Sequence, residues 1–411
     1  MKKKLLAILL AAGILLTLCP AALAAEIPAD AIAGAQKYLL ESLPRGTSGG
    51  AADHVMFTLV RSGAALPEGY ALQYYESVTA ELAENGSPAG RGRSGEFARA
   101  ALALRAMGKD PTNVCGQNLL TALADFDACA QTGLPGVLTA LRTLDCANYD
   151  IPAVDGVSTP ATRELYLSTI LNAQLPDGGW ALHGGKADAA TTASVLQALA
   201  RYRDQQQVAN AVALGVERLS ALQQDDGGYT VWSTPSSEPT AQVLLALCAL
   251  DIAVDDERFT KNGATALDKL LSYRDASGGF LGSLHPSLTA TYQALQALCA
   301  VQRAQSGQAE LYDLTDVTLT AQPQLASGVK AAQLQKNGAV FSDTEAHENR
   351  DAINILGSFG IISGVGGGRF SPDSTMTRAQ FAKIVVCALG LEAQYRGTFA
   401  DVAESAWYAP Y

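Results

Sequence analysis

Gln174-Leu-Pro-Asp-Gly-Gly-Trp180 recurs as Gln223-Gln-Asp-Asp-Gly-Gly-Tyr229 and again as Arg274-Asp-Ala-Ser-Gly-Gly-Phe280, with the glycine pairs spaced by 49 and 51 residues. A repeat at this period is the signature of stacked supersecondary units. Each copy is followed by a polar loop and then by a helix of small residues. These are Asp188-Ala-Ala-Thr-Thr-Ala-Ser-Val-Leu-Gln-Ala-Leu199, Glu238-Pro-Thr-Ala-Gln-Val-Leu-Leu-Ala-Leu247 and Thr291-Tyr-Gln-Ala-Leu-Gln-Ala-Leu298. Thr192, Thr240 and Thr291 hold one offset from the Ala-Leu pair.

One copy reads as a helical hairpin. A long helix ends at a Gly-Gly turn, where positive φ and close backbone approach call for no Cβ. The aromatic packs back onto the helix ends, and a second helix begins on Asp, Glu or Thr, which suit a cap and the positive end of the helix dipole. Working outward, first helices are predicted near 29–42, 70–84, 116–126, 163–174, 207–223 and 259–274. Second helices are predicted near 51–61, 94–107, 133–144, 188–201, 238–250 and 287–303. Six hairpins close a ring, with the small-residue helices on the crowded inside.

Composition agrees with a helical fold. The 411 residues are 48% hydrophobic, 17% charged and 7% aromatic, and the apolar share is mostly Ala and Leu. That is charge-poor against an average near 25%, and it speaks against a β-sandwich, a barrel or disorder. Residues 1–24 read as a secretory signal peptide: Lys2, Lys3 and Lys4, an apolar run to Leu18, then Pro20 and Ala22-Leu23-Ala24. Losing its three lysines takes the formal net charge from -11 to -14. An acidic chain without a Lys/Arg cluster offers no footprint for nucleic acid, and no later apolar run replaces the signal as a membrane span. Six of the seven cysteines remain, with no C-x-x-C pair or zinc spacing, and are expected to be core thiols.

The Gln-x-x-Asp-Gly-Gly-Trp segment resembles the repeat of squalene/terpene cyclases and protein prenyltransferases, and residues 27–312 resemble exported bacterial members of that α/α toroid superfamily, which also holds cobalamin carriers. The resemblance implies a mainly α fold, an α/α toroid of about six hairpins. It also implies cyclase or transferase machinery that the residues do not supply. No Asp-x-Asp-Asp acid is present, Asp225-Asp226 belong to the turn, and the four histidines (His54, His183, His285, His347) have no cysteine at ligand spacing. No catalytic residue, metal or cofactor is therefore expected. A ligand cavity is expected at one rim, where Trp180, Asp188, Thr192, Tyr229, Glu238, Thr240, Gln242, Tyr292 and Gln293 would gather. A corrinoid is the ligand that the carriers suggest, though nothing in these residues selects it.

Beyond Tyr312 the pattern changes. Residues 313–340 read as a linker. Phe341-Ser-Asp343, Ala352-Ile-Asn-Ile-Leu356, Gly360-Ile-Ile-Ser-Gly364, Gly368-Arg-Phe-Ser-Pro-Asp373 and Thr377-Arg-Ala-Gln-Phe-Ala382 then follow in order. This resembles an S-layer homology (SLH) domain over 341–390, a small helical module, with a second, truncated copy starting at 399–411. The resemblance implies binding of pyruvylated secondary cell-wall polysaccharide. Arg378 would pair with the ketal carboxylate through its planar fork, and Gly367 and Gly368 would offer backbone donors. Gln380 stands where the family usually carries Glu, and Glu348 or Asn349 where a Trp often follows His347. The expectation is a cell-wall-anchored protein that binds an unidentified ligand without turnover. The alternatives are a surface enzyme using Asp188 or Glu238 with a histidine, and a structural S-layer component.

Overall fold

The computed structural model describes residues 27–85, 93–231, 234–282, 284–320, 341–391, 393 and 401–411. The signal segment 1–24, residues 321–340 of the expected linker and Phe399-Ala400 of the second SLH copy lie outside the described residues. The chain divides into two units, Met1–Thr320 and Ala321–Tyr411.

In the first unit helices alternate between two layers. The outer helices are α1 (Ala29–Ser42), α3 (Tyr70–Asn85), α5 (Phe126–Ala130), α7 (Arg163–Asn172), α9 (Gln206–Leu222) and α11 (Ala266–Ser272). The inner ones are α2 (Ala51–Arg61), α4 (Ser94–Ala106), α6 (Leu134–Asp145), α8 (Ala189–Leu199), α10 (Ser237–Ala249) and α12 (Leu288–Gln305). Each inner helix packs on the next, and α12 packs on α2, so the ring closes. Burial separates the layers as periodicity requires. On α9 it is one stripe, Val208, Ala211, Val212, Gly215, Val216 and Leu219, whereas on α8 every residue from Ala189 to Leu199 except Ala190, Thr191 and Ser194 is buried.

The three Gly-Gly turns set the pitch of the ring. Gly178, Gly227 and Gly278 all have φ between 82° and 89°. Each presses on the outer helix of the following hairpin or on its cap: Gly178 on Leu214, Gly227 on Thr265, which caps α11, and Gly278 on Gly34 of α1. The last contact joins the end of the ring to its start. Asp177 pairs with Arg218 at 3.2 Å and Asp226 with Lys269 at 2.7 Å. At the closure the corresponding residues are Ser277 and Tyr38, and Arg274 there bridges to Asp30 at 2.6 Å instead.

Two outer helices differ from expectation. The third, expected over 116–126, is a 3-10 turn at Leu119–Leu123 capped by Asn118, followed by the short α5 capped by Asp125. The sixth, expected from Phe259, starts only at Ala266, because Asn262-Gly263, both at positive φ, fold Thr260–Lys261 (β3) onto Ala264–Thr265 (β4). Asn-Gly is a strong hairpin signal. A second small hairpin pairs Tyr229–Val231 (β1) with Thr234–Ser236 (β2).

The linker expected from 313 begins later. Leu311 and Leu314 are fully buried, and 309–320 form a strap bound to the first unit. The second unit has helices α13 (Arg350–Ser358) and α14 (Arg378–Ala388) around Phe341, Ile353, Ile361 and Ile362. Of the six cysteines no two are joined. Cys129, Cys146 and Cys299 are core thiols as read, Cys248 and Cys387 are half-buried, and Cys115 is exposed. Among the described residues no helix is long and apolar enough to cross a membrane.

Candidate functional site

The residues expected at the rim are largely used by the turns. Trp180 is fully buried and its Nε1 donates to Ile170 O at 2.8 Å. Thr192 Oγ1 accepts from Trp180 N and donates to Trp180 O, both at 3.0 Å. Thr240 Oγ1 accepts from Tyr229 N at 3.2 Å and donates to Ser236 O, and Thr291 Oγ1 accepts from Phe280 N at 2.9 Å. The threonines thus lock each turn to its inner helix. Tyr229 packs like Trp180, with its hydroxyl buried and lacking a partner. Trp180, Thr192 and Thr240 are thus engaged within the turns, while Tyr229 also borders a surface pocket with Asp225, Asp226 and Tyr273.

Asp188 caps α8. Its Oδ1 accepts from Thr191 N at 2.7 Å and its Oδ2 from Leu182 N at 3.1 Å. Both oxygens accept from backbone donors, so the side chain serves the helix start and the loop before it. The caps of α10 and α12 are Ser236 and Ser287, not Glu238 and Thr291. Glu238 is half-buried in the first turn of α10, and burial raises its carboxyl above the usual range.

Gln242 and Gln293 meet in the ring interior. Gln242 Nε2 donates to Gln293 Oε1 at 3.3 Å, Gln197 Nε2 to Gln242 Oε1 at 3.2 Å, and Arg142 to Gln197 Oε1 at 3.5 Å. The belt runs across four consecutive inner helices, α6, α8, α10 and α12. Tyr292 stacks on His54 of α2 with ring centroids 5.1 Å apart. Burial first, then Arg99 and Arg142, push the His54 pKa down to about 4, so it is neutral at neutral pH.

The opposite end of the ring carries a feature the sequence reading missed. Arg61, Arg105, Arg142, Arg201 and Arg303 lie in or just past the last turns of α2, α4, α6, α8 and α12, where the helix dipole favours cations. The strap crosses this end. Arg61 donates to the carbonyls of Leu311, Glu310 and Asp313, and pairs with Asp316 at 2.9 Å. Leu314 N donates to Cys146 O and Thr320 N to Gly108 O. Tyr312 stacks on Phe57 at 4.9 Å, lies 4.6 Å from Arg142 and donates to Gln296 at 3.2 Å. A ring touched from α2, α6 and α12 at once sits on the axis and floors the interior.

Beside the strap is a cavity of about 210 Å³ whose walls include Arg142, Gln197, Arg201, Arg203, Glu310, Tyr312 and Asp313. It shares Arg142 and Gln197 with the belt. Its polar lining could have been suspected from Gln197, inside a Leu-Gln-Ala-Leu run and so a polar break in an apolar helix. Among the described residues no group of three or more His, Cys, Asp and Glu is placed to hold a metal ion.

In the second unit Arg378 is the exposed first residue of α14. Gln380 Oε1 accepts from Thr377 N at 2.8 Å and Oγ1 at 3.0 Å, completing a capping box. Gln380 therefore holds the helix start, a task open to Gln as to Glu, and among the described residues no hydrogen bond joins it to Arg378. Gly366, Gly367 and Gly368 are exposed at positive φ with open space where a Cβ would sit. Asp343 ties the loop end, accepting from Phe370 N and Ser371 N at 2.8 Å each, which holds its carboxyl below the usual range.

Comparison with known proteins matches this geometry. The prenyltransferase alpha-alpha toroid domain matches residues 137–262 and 237–352, together just over half of the chain. The chain belongs to that family. The S-layer homology domain matches 340–382 and gives this toroid its place, at the cell wall or S-layer outside the cell. Among curated proteins, the toroid chain is 37% identical over 75 residues to endo-1,4-beta-xylanase A of Thermoanaerobacterium saccharolyticum (18% of this chain, 6% of that protein). It is 41% identical over 62 residues to the middle cell wall protein of Brevibacillus brevis (14% and 6%). The chain thus spans about 6% of the length of these relatives. A solved structure described as a possible member of GH105 family, from Salmonella enterica, aligns with 69% of this chain and 96% of its own at 9% identity and a TM-score of 0.41.

Proposed function

We propose that the protein is a wall-anchored binding protein. Its SLH module attaches it to secondary cell-wall polysaccharide, with Arg378 taking the carboxylate of a pyruvyl ketal and the Gly366–Gly368 backbone offering donors. Its toroid holds a small polar ligand in the ring interior without turnover.

The observation that carries the interior reading is the belt of Arg142, Gln197, Gln242 and Gln293, continuous with the 210 Å³ cavity. Convergent amides and a guanidinium in a concavity are what polar ligands require. A corrinoid is far larger than this cavity, so the interior favours a more compact ligand. The second reading, an enzyme, draws on Glu238. Its carboxyl is raised by burial and lies close enough to Tyr292 to affect it, while Tyr292 is stacked on the neutral His54.

A screen of polar metabolites and wall fragments against the full chain separates the two. Saturable binding that Gln242→Leu weakens about tenfold, with the ligand recovered unchanged, supports the binding reading. Turnover abolished by Glu238→Gln would replace it with the enzyme.

A further inference from the structure

The cavity beside the strap has two walls of opposite charge. On one side Arg142, Arg201 and Arg203 stand at the ends of inner helices, and on the other Glu310 and Asp313 come from the strap. Not all of these charges are free. Arg203 pairs with Asp251 at 2.9 Å, and Asp145, which also lines the cavity, is held by Arg163 at 2.8 Å and by the Tyr202 hydroxyl. Arg201 donates to Asp145 O and Asn148 Oδ1.

Arg142 is different. Among the described residues no carboxylate lies within 4 Å of it, its hydrogen bond to Gln197 is long at 3.5 Å, and it lies against Tyr312, 4.6 Å from the ring centre. A half-buried guanidinium so placed keeps its donor edge for a carboxylate from outside. Across the cavity, Glu310 accepts from Tyr312 N through one oxygen, at 3.0 Å, and Asp313 accepts from Thr315 N and Oγ1 through one oxygen, within the strap. A simple anion would meet these two carboxylates, and a simple cation would meet the arginines. A molecule carrying both charges meets a partner on each wall.

We propose that this cavity binds a compact zwitterion, an amino acid or short peptide whose carboxylate pairs with Arg142 and whose ammonium faces Glu310 and Asp313. The volume, about 210 Å³, suits a molecule of that size rather than a larger one. This rests on the reading of the toroid as a binding domain and names its ligand class.

The experiment is calorimetric titration of the full chain with three matched sets: free amino acids and dipeptides, their N-acetyl forms and their C-terminal amides. The zwitterions should bind saturably, and both blocked forms at least about tenfold more weakly. Arg142→Gln should close the gap between zwitterion and amide, Arg142→Lys should restore part of it, and Glu310→Gln should close the gap to the N-acetyl form. A variant that merely loosened the fold would weaken all three sets alike. Equal binding of blocked and free forms, or gaps unchanged in both variants, overturns the proposal. If glucose or another neutral compound binds in a Gln242-dependent way while zwitterions do not, the proposal falls and the binding role stands. If nothing in either screen binds, both fall.

Discussion

His54 shows how a single side chain is governed by the ring around it. It stacks on Tyr292, and burial together with Arg99 and Arg142 holds its pKa near 4. The unfolded value is about 6.5, so the folded state resists protonation. Stability from the neutral ring is therefore complete above about pH 6.5 and drains away as pH falls toward 4. Over that window the loss should be of order 2–3 kcal/mol. His54→Phe keeps the stack and cannot protonate, so denaturant titrations at both pH values should show a shallower loss in the variant. Identical pH dependence would remove His54 as the cause. This residue was hidden in the sequence because a lone histidine on a largely apolar helix carries no sign of what faces it. Thr192 was visible by its fixed offset from the Ala-Leu pair and Trp180 by its place after the Gly-Gly turn, but position along the chain does not tell a turn lock from a cavity wall.

At the scale of elements, the Gly-Gly turns decide whether the ring closes. A Cβ on Gly278 would lie 2.5 Å from Gly34 O, a backbone atom that cannot swing aside. Gly184, at a similar φ of 82°, has open space around it. Gly184→Ala should therefore cost only the left-handed backbone penalty, about 1 kcal/mol. Gly278→Ala should lose at least about 2 kcal/mol more from overpacking, read by urea unfolding. Equal losses would mean that the contact between the last turn and α1 does not hold the ring shut. The inner and outer helices were legible because Ala-Leu runs and one-sided stripes mark the two layers. The sixth outer helix was misjudged because Asn262-Gly263 overrides the helical pattern around it, and the third because Asn118 and Asp125 divide it. The strap over 309–320 has no periodicity at all. Its place is set by carbonyls offered to Arg61 and Arg303, and backbone acceptors leave no trace in a sequence.

For the whole molecule, an acidic chain of net charge -11 carries its cationic collar inside the toroid and one arginine, Arg378, at the head of the SLH helix α14. The SLH blocks were legible because each is short, ordered and chemically distinct. The toroid was legible as a fold and silent on its ligand, since one fold serves many sites. Linked SLH repeats multiply affinity, so the contribution of this repeat by itself should be sensitive to loss of a single contact. A charge-assisted contact to a carboxylate is worth about 1.5–3 kcal/mol, so losing it should lower affinity about tenfold or more.

Anchoring is tested most directly by co-sedimentation of the full chain with isolated bacterial cell walls, before and after their secondary polysaccharide is extracted. The chain should pellet with intact walls, stay in solution with extracted ones, and pellet at least about tenfold less when Arg378→Ala is introduced. Equal sedimentation with intact and extracted walls would contradict the account.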